Sequence, residues 1–372
     1  MATKVIKART SASAKLAARH GAKALRAGRL VAFATETVYG VAAMATDAEA
    51  MDRLRELKSR PKQPFSVHLG RPEDAARYLA EPPAGAKRLM AKAWPGPLTI
   101  ILPTGGRLAD SHLEKAGLHD VLAAGGLIGL RCPDEPVACA MLSAVAAPVV
   151  ASSANRAGGA SPRCAADVLK AFDGKIDMLI DSGPTRHGKD STIIRFDGGD
   201  FKILRRGVLG VRQIRGLLKW RLLIVCTGNT CRSAMAEGLA RKLLADELGC
   251  SVGGLRKKDV EVVSAGVLAA EGHKATAEAV EAAGRLGADI SAHRSQRLTG
   301  EMIRLADLVL CMKDSHVENV LKLVPSAAAK TSRLDPRGDI EDPLGAGAEF
   351  YHTTARRIRQ ALRPHLRKAL TR

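Results

Sequence analysis

Apolar positions along the chain follow two patterns. Short runs of Leu, Val and Ile alternate with stretches in which apolar side chains recur every three or four residues. The first pattern reads as strands and the second as helices packed on them. In the first half, residues 30–33, 35–41, 65–69, 98–102, 127–133, 148–155, 190–194 and 202–207 read as strands, and residues 14–25 and 47–57 as helices. Polar and cationic side chains collect where these strands end, as they do around a nucleotide cleft, although no G-x-G-x-x-G or Walker-type loop is present. In the second half, residues 222–225, 260–266 and 307–312 read as buried strands, and 275–286 and 349–362 as helices, the last ended or kinked by Pro364. Strict alternation of strand and helix predicts a doubly wound parallel sheet with its site at the strand C-termini. Between the halves, residues 208–220 contain Gly210 and Gly216 and read as a partly helical linker.

Composition adds to this outline. A chain of 372 residues fits two domains. Aromatic residues make up only 3%, so the cores are built from Leu, Val, Ile and Ala. The net charge of +20 is uneven, with +14 on residues 1–220 and +6 on residues 221–372. Such a surface attracts nucleic acid, nucleotides or other polyanions; a solvated basic face is the alternative. Seven cysteines without a C-x-x-C pair argue against a disulfide framework or a zinc site and fit a reducing cytoplasm. No apolar run approaches the span of a bilayer. No acid precedes Glu36, and the first residues read as a disordered basic tail ahead of the first helix.

The densest chemistry lies at residues 226–233, C-T-G-N-T-C-R-S, between a predicted strand and a predicted helix. A helix N-terminus reached by a short loop favours an anion. Cys226 opens the loop and Arg232 closes it, so a planar two-pronged donor faces the same space as the thiol. That positive field predicts a lowered Cys226 pKa and a nucleophilic thiolate. Asp335 and Asp342 each precede a proline in the loop before the last helix, where a proton donor for a leaving group is expected. In the first half, Lys58, Arg60 and Lys62 form a basic turn punctuated by Pro61 and Pro64, a cluster that gains most if an anion lies between the cations; on spacing alone a solvated basic turn is the alternative.

Two family resemblances follow from these residues. The 226–233 loop, with the region from residue 221 to the C-terminus, resembles the low-molecular-weight protein phosphatases. That resemblance implies catalytic roles for Cys226, Arg232 and Asp342, with Thr227, Gly228, Asn229, Thr230, Cys231 and Ser233 completing the phosphate loop. Asp342 matches the general acid better than Asp335 does. Cys231 is either a partner in a reversible protective disulfide or a small buried residue. Thr230 and Leu344 stand where tyrosine-directed relatives carry apolar and aromatic residues, and with K-A-T at 274–276 they resemble the protein-arginine phosphatases. Tyrosine phosphatase is the second reading.

In the first half, T-E-T-V-Y-G at 35–40, K-S-R at 58–60, W-P-G-P-L-T at 94–99, S-A-N at 153–155, D-S-T at 190–192 and L-R-R-G at 204–207 together resemble the YrdC-like threonylcarbamoyl-AMP synthases. The resemblance implies a twisted mixed sheet over residues 12–208, followed by a three-layer αβα domain with a four-stranded parallel sheet over 221–372. It also implies conversion of L-threonine, bicarbonate and ATP, with Mg2+, to threonylcarbamoyl-AMP and pyrophosphate. The product would pass to the machinery that modifies tRNA. Thr35, His68, Arg131 and Ser191 fall at threonine-contacting positions. Lys58, Arg60, Lys62, Ser153, Asn155, Ser161 and Arg205 fall at ATP-contacting positions. Longer relatives carry a different C-terminal domain where the phosphatase-like region stands. The second half has phosphoproteins as its expected substrates and needs no cofactor. A rival account makes the basic first half an RNA-binding module, and threonine-dependent pyrophosphate release separates the two.

Overall fold

The computed structural model describes residues 2–59, 64–197 and 200–370. The chain divides into two compact units, Met1–Leu217 and Leu218–Arg372.

In the first unit, in chain order, the elements are β1 (Lys4–Lys7), α1 (Ser11–Arg26), β2 (Val31–Phe33), β3 (Gly40–Met44), α2 (Ala48–Lys58), β4 (Ser66–His68), α3 (Ala84–Ala93), β5 (Leu98–Pro103), α4 (Ser111–Lys115), α5 (Leu118–Leu122), β6 (Ala123–Ala124), β7 (Leu127–Arg131), α6 (Pro136–Val145), β8 (Val149–Ser153), α7 (Ala165–Phe172), β9 (Met178–Asp181), β10 (Thr192–Asp197), β11 (Asp200–Arg205) and α8 (Val211–Leu218). One mixed sheet runs in the order β1-β9-β2-β3-β8-β4-β7-β5-β10-β11, with β6 paired to β7. Helices α1 and α6 cover one part of it through Ala17, Ala22, Leu25, Ala138 and Met141, which pack on Val31, Ala42 and Ile180. The sheet curls. Phe33 on β2 and His68 on β4 are separated by β3 and β8, and strands lie about 4.8 Å apart. Their rings nevertheless meet edge to face at 6.4 Å.

Two expectations fail here for physical reasons. The basic N-terminus is ordered rather than free: β1 pairs in parallel with β9, and Arg9 donates to both carboxylate oxygens of Asp181 at 2.8 Å. These partners lie more than 170 residues away, so local periodicity carries no trace of them. Residues 35–38 form a buried turn between β2 and β3 rather than part of a strand. The Thr35 hydroxyl accepts from the Thr37 and Val38 N–H groups and donates to the Val38 carbonyl at 2.7 Å. A hydroxyl that satisfies the local backbone replaces the ladder a strand would need.

The second unit contains β12 (Trp220–Cys226), α9 (Arg232–Glu247), β13 (Val260–Gly266), α10 (Ala277–Gly284), α11 (Gly300–Leu305), β14 (Leu308–Cys311), α12 (Asp314–Leu323), β15 (Thr331–Arg333) and α13 (Ala348–Leu370). Its sheet has the order β13-β12-β14-β15, and every pair is parallel. Successive residues of a strand point to opposite faces. Leu222, Ile224 and Cys226 join the core under α9, α10 and α13. Leu223 and Val225 join the core that holds Ile303, Ala306 and Val320. This is the parallel sheet expected from the alternating pattern, in the three-layer αβα arrangement that the family resemblance implies. Helix α13 does not end at Pro364 but continues to Leu370. Leu362 and Leu366, buried on either side of the proline, hold both segments against the core.

Candidate functional sites

In the first unit, the polar residues expected at strand ends form three groups. The first surrounds Arg131, which is 5% exposed. Its NH2 group donates to Glu36 Oε1 at 3.0 Å, to Thr37 Oγ1 at 2.7 Å and to Thr35 Oγ1 at 3.3 Å. Glu36 is fixed in turn by the Asp134 N–H at 2.9 Å. Arg131 Nε is buried and has no hydrogen-bond partner among the described residues. His68 is Arg131's register neighbour across β4 and β7. Burial and then the Arg131 charge push its pKa down to about 3, so the ring is neutral at physiological pH.

The second group is built on Lys58, 1% exposed at the end of α2. Its ammonium donates to the Ser153 carbonyl at 2.6 Å, to the Asn155 carbonyl, and to Asn155 Oδ1 at 3.3 Å. Ser153 Oγ also donates to Asn155 Oδ1 at 2.6 Å. Lys58 therefore clamps the S-A-N turn. In the third group Arg205 donates to the Ser191 carbonyl and to its hydroxyl, both at 3.0 Å, and Ser191 Oγ lies 3.1 Å from Thr99 Oγ1. Ser161 donates to Asp190 at 3.0 Å. Gly207 permits this junction, because a Cβ there would lie 2.3 Å from the Asp190 carbonyl oxygen. Arg60 and Lys62 lie outside the described residues. Thr35, Arg131 and His68 are thus brought together, as are Lys58, Ser153 and Asn155, and as are Ser191 and Arg205.

In the second unit the loop after β12 turns back on itself through Asn229, whose φ is +58°. Asn229 holds that left-handed conformation through its own side chain: Nδ2 donates to Ser233 Oγ and Ser264 Oγ at 2.8 Å, and Oδ1 accepts from the Gln296 N–H at 2.9 Å. Beneath it, Ser264 donates to Glu237 Oε2 at 2.5 Å, and His293 Nε2 lies 2.7 Å from the Asn229 carbonyl oxygen. Gly266 makes room for the loop, since a Cβ there would lie 2.4 Å from the Thr227 carbonyl oxygen. Cys226 Sγ accepts from the Asn229 N–H at 3.1 Å and lies 2.9 Å from Ser233 Oγ. Arg232, 1% exposed, donates to the Ile340 carbonyl at 3.0 Å and to Thr227 Oγ1 at 3.2 Å, and it forms an ion pair with Asp342. Its Nε is buried without a partner among the described residues.

The thiol does not follow its expected pKa. Burial, the largest influence, pushes Cys226 up, while Ser233, the Asn229 N–H and Arg232 pull it down. Arg232 is engaged by Asp342, so part of its field is already cancelled. Cys231, the N-cap of α9, sits 3.5 Å from Tyr351 Oη and 3.6 Å from Thr276 Oγ1. Asp335 is a buried anchor: its carboxylate accepts from Arg337 Nε at 3.1 Å and Arg357 Nε at 2.8 Å. Those two arginines hold it far below the usual carboxylate range. Sequence reasoning passed over Glu36, Thr37 and Thr99 in the first unit and Glu237, Ser264 and His316 in the second. Glu36, Thr37 and Thr99 stood inside motifs, at positions read as strand.

The first unit is an open mixed-sheet domain whose cations and hydroxyls converge at strand ends, and the second is a parallel-sheet domain whose loop brings Cys226, Arg232 and Asp342 together. Comparison with known proteins gives the families. The Sua5/YciO/YrdC family model, described as "Telomere recombination", matches residues 23–207, and the low molecular weight phosphotyrosine protein phosphatase model matches residues 221–372. A threonylcarbamoyl-AMP synthase of Halorhodospira halophila is 36% identical over 191 residues, covering 50% of this chain and 93% of its own. One of Pyrococcus abyssi is 35% identical over 219 residues, or 58% of this chain, and this chain spans only 61% of its length. The crystal structure of P. abyssi Sua5 complexed with L-threonine aligns with a TM-score of 0.51 at 25% identity, covering 71% of this chain and 92% of that one. The chain belongs to the Sua5/YrdC family through its first unit and carries a low-molecular-weight phosphatase domain as its second. Among the described residues, no helix is long and apolar enough to cross a membrane.

Proposed function

We propose that the first unit makes threonylcarbamoyl-AMP and the second hydrolyses phosphorylated proteins, with phosphoarginine preferred. The observation that carries the first reading is the Arg131 group: a buried guanidinium with an unpartnered Nε–H suits the carboxylate of an amino acid. In the proposed reaction, a carbamate oxygen of N-carboxythreonine attacks the α-phosphorus of ATP. The α–β P–O bond breaks and pyrophosphate leaves with its electrons. Negative charge lies on phosphoryl oxygens throughout, so Lys58, Arg205 and the hydroxyls of Ser153 and Ser161 are the donor types the step needs. Among the described residues no group of three His, Cys, Asp or Glu is arranged to hold a metal. Magnesium would enter with the ATP phosphates, where it would offset their charge. The threonylcarbamoyl group would be consumed by tRNA modification. Lys58→Ala should remove most threonine- and bicarbonate-dependent pyrophosphate release; a wild-type rate in that variant would refute the assignment.

For the second unit, the Cys226 thiol gives its proton to water and Sγ attacks phosphorus. The bond from phosphorus to the leaving group breaks, and the leaving group, carrying the electron pair, takes a proton from Asp342. Water then returns a proton to Asp342 as its oxygen attacks phosphorus, breaking the S–P bond and releasing inorganic phosphate and the Cys226 thiolate. Arg232 and the loop N–H groups hold the phosphoryl oxygens. The arginine preference is supported by Thr230 within the loop and by Leu344, 66% exposed two residues after Asp342, where an aromatic side chain would stack on a phenol. The family model's phosphotyrosine description favours the second reading. Rates on phosphoarginine and phosphotyrosine peptides decide between them.

A further inference from the structure

His316 lies in the first turn of α12, is 3% exposed, and has no role in the steps above. Its Nε2 is 3.0 Å from Thr227 Oγ1, and its Nδ1 is buried with no partner among the described residues. Thr227 Oγ1 also accepts from Arg232 NH2 at 3.2 Å. The chain of contacts is therefore His316, Thr227, Arg232, Asp342.

Two tautomers are compatible with it. If Thr227 donates to Nε2, the imidazole proton sits on Nδ1, buried with no acceptor. If Nε2–H donates to Thr227, the orphan is only a lone pair, the less costly of the two. Thr227 Oγ1 then accepts twice, from His316 and from Arg232, and is fixed in place. This matters because Arg232 has two kinds of partner. Asp342 is 39% exposed and must leave the guanidinium to serve as an acid. Once it leaves, the Ile340 carbonyl and Thr227 are the remaining anchors of the two NH groups.

We propose that His316 is a positioning residue: through Thr227 it holds the Arg232 guanidinium in its oxyanion-binding orientation when Asp342 is displaced. The proposal rests on the phosphatase reading of this site. Arg232 and Lys313 oppose a charge on His316, Asp339 and Asp342 favour one, and burial outweighs them all. The ring therefore stays neutral, with its pKa down at about 4, and remains a single N–H donor across physiological pH.

The test uses the full chain and inorganic phosphate, measured by calorimetric binding and as an inhibitor of p-nitrophenyl phosphate hydrolysis. His316→Phe keeps the volume and removes the donor; His316→Asn retains an N–H. His316→Phe should weaken phosphate binding about tenfold, the usual worth of a hydrogen bond near a charged group, and raise KM more than it lowers kcat. His316→Asn should recover part of both. In a double-mutant cycle, His316→Phe should add little to Thr227→Val, because Thr227→Val already removes the hydroxyl through which His316 acts. Unchanged phosphate affinity in His316→Phe, or full additivity with Thr227→Val, would make His316 a packing residue and overturn the proposal. If His316→Phe does not fold, wild-type phosphate affinity in Thr227→Val overturns it equally. Wild-type phosphate binding without Cys226-dependent hydrolysis would sink the enzymatic reading and leave the positioning claim standing; no phosphate binding by the wild type would sink both.

Discussion

Each unit holds a buried arginine whose Nε has no partner among the described residues, and each pairs it with a carboxylate, but the two carboxylates are placed oppositely. Glu36 is 1% exposed at its side chain and tied to the Asp134 N–H, so its pairing with Arg131 is permanent. Asp342 is 39% exposed and sits on a loop, so its pairing with Arg232 is exchangeable. A fixed partner orients a guanidinium for a ligand that only has to be held. An exchangeable partner suits a site where the same carboxylate must later give up a proton. The contrast teaches that a buried arginine can be given a fixed partner in one unit and an exchangeable one in the other.

Four substitutions or conditions test that contrast. Glu36→Ala leaves a buried, uncompensated guanidinium, so the first unit should lose about 3–5 kcal/mol of stability together with threonine-dependent pyrophosphate release. Denaturant unfolding measures it, and a loss below about 1 kcal/mol would mean that the pair is not a fixture. Thr230→Ile should shift kcat/KM toward phosphotyrosine over phosphoarginine peptides by roughly 10–200-fold, the usual worth of one or two methylenes of contact. An unchanged ratio, or a wild type that already favours phosphotyrosine, hands the site to the tyrosine reading. Asp342→Ala should change stability by no more than about 1 kcal/mol, as for a hydrated pair, while slowing turnover of substrates with poor leaving groups. A stability loss as large as that of Glu36→Ala would erase the distinction.

A further effect is on acid stability. His68 is held neutral in the folded state, so its contribution is complete above the unfolded histidine pKa of about 6.5 and declines as pH falls toward 3. Each such group weakens folding by up to about 1.4 kcal/mol per pH unit within that window. His68→Gln should flatten the acid limb of a melting-temperature profile between those limits; an unaltered limb would show that another group sets it.

The second unit's candidate site was legible in the sequence because residues 226–233 are contiguous and the loop's chemistry travels with it. The first unit's site is scattered from residue 35 to residue 205, and only the ordered set of short motifs revealed it. What escaped detection acts at long range or through side chains. The β1 strand depends on β9, about 170 residues later, and the turn at residues 35–38 on one hydroxyl. The Cys226 thiol was misjudged because burial and the Arg232–Asp342 pair are invisible in a linear loop. His316 is a lone histidine on a helix, and nothing in its neighbours announces a contact 89 residues away.

The central claim is that two chemistries reside in separate units of one chain. The most direct measurement follows pyrophosphate release and phosphopeptide hydrolysis by the full chain and by Cys226→Ser, each with and without threonine. Pyrophosphate release should require threonine and be equal in both proteins, while phosphopeptide hydrolysis should vanish in Cys226→Ser alone. Pyrophosphate release indifferent to threonine, or lost along with hydrolysis in a folded Cys226→Ser chain, would contradict it.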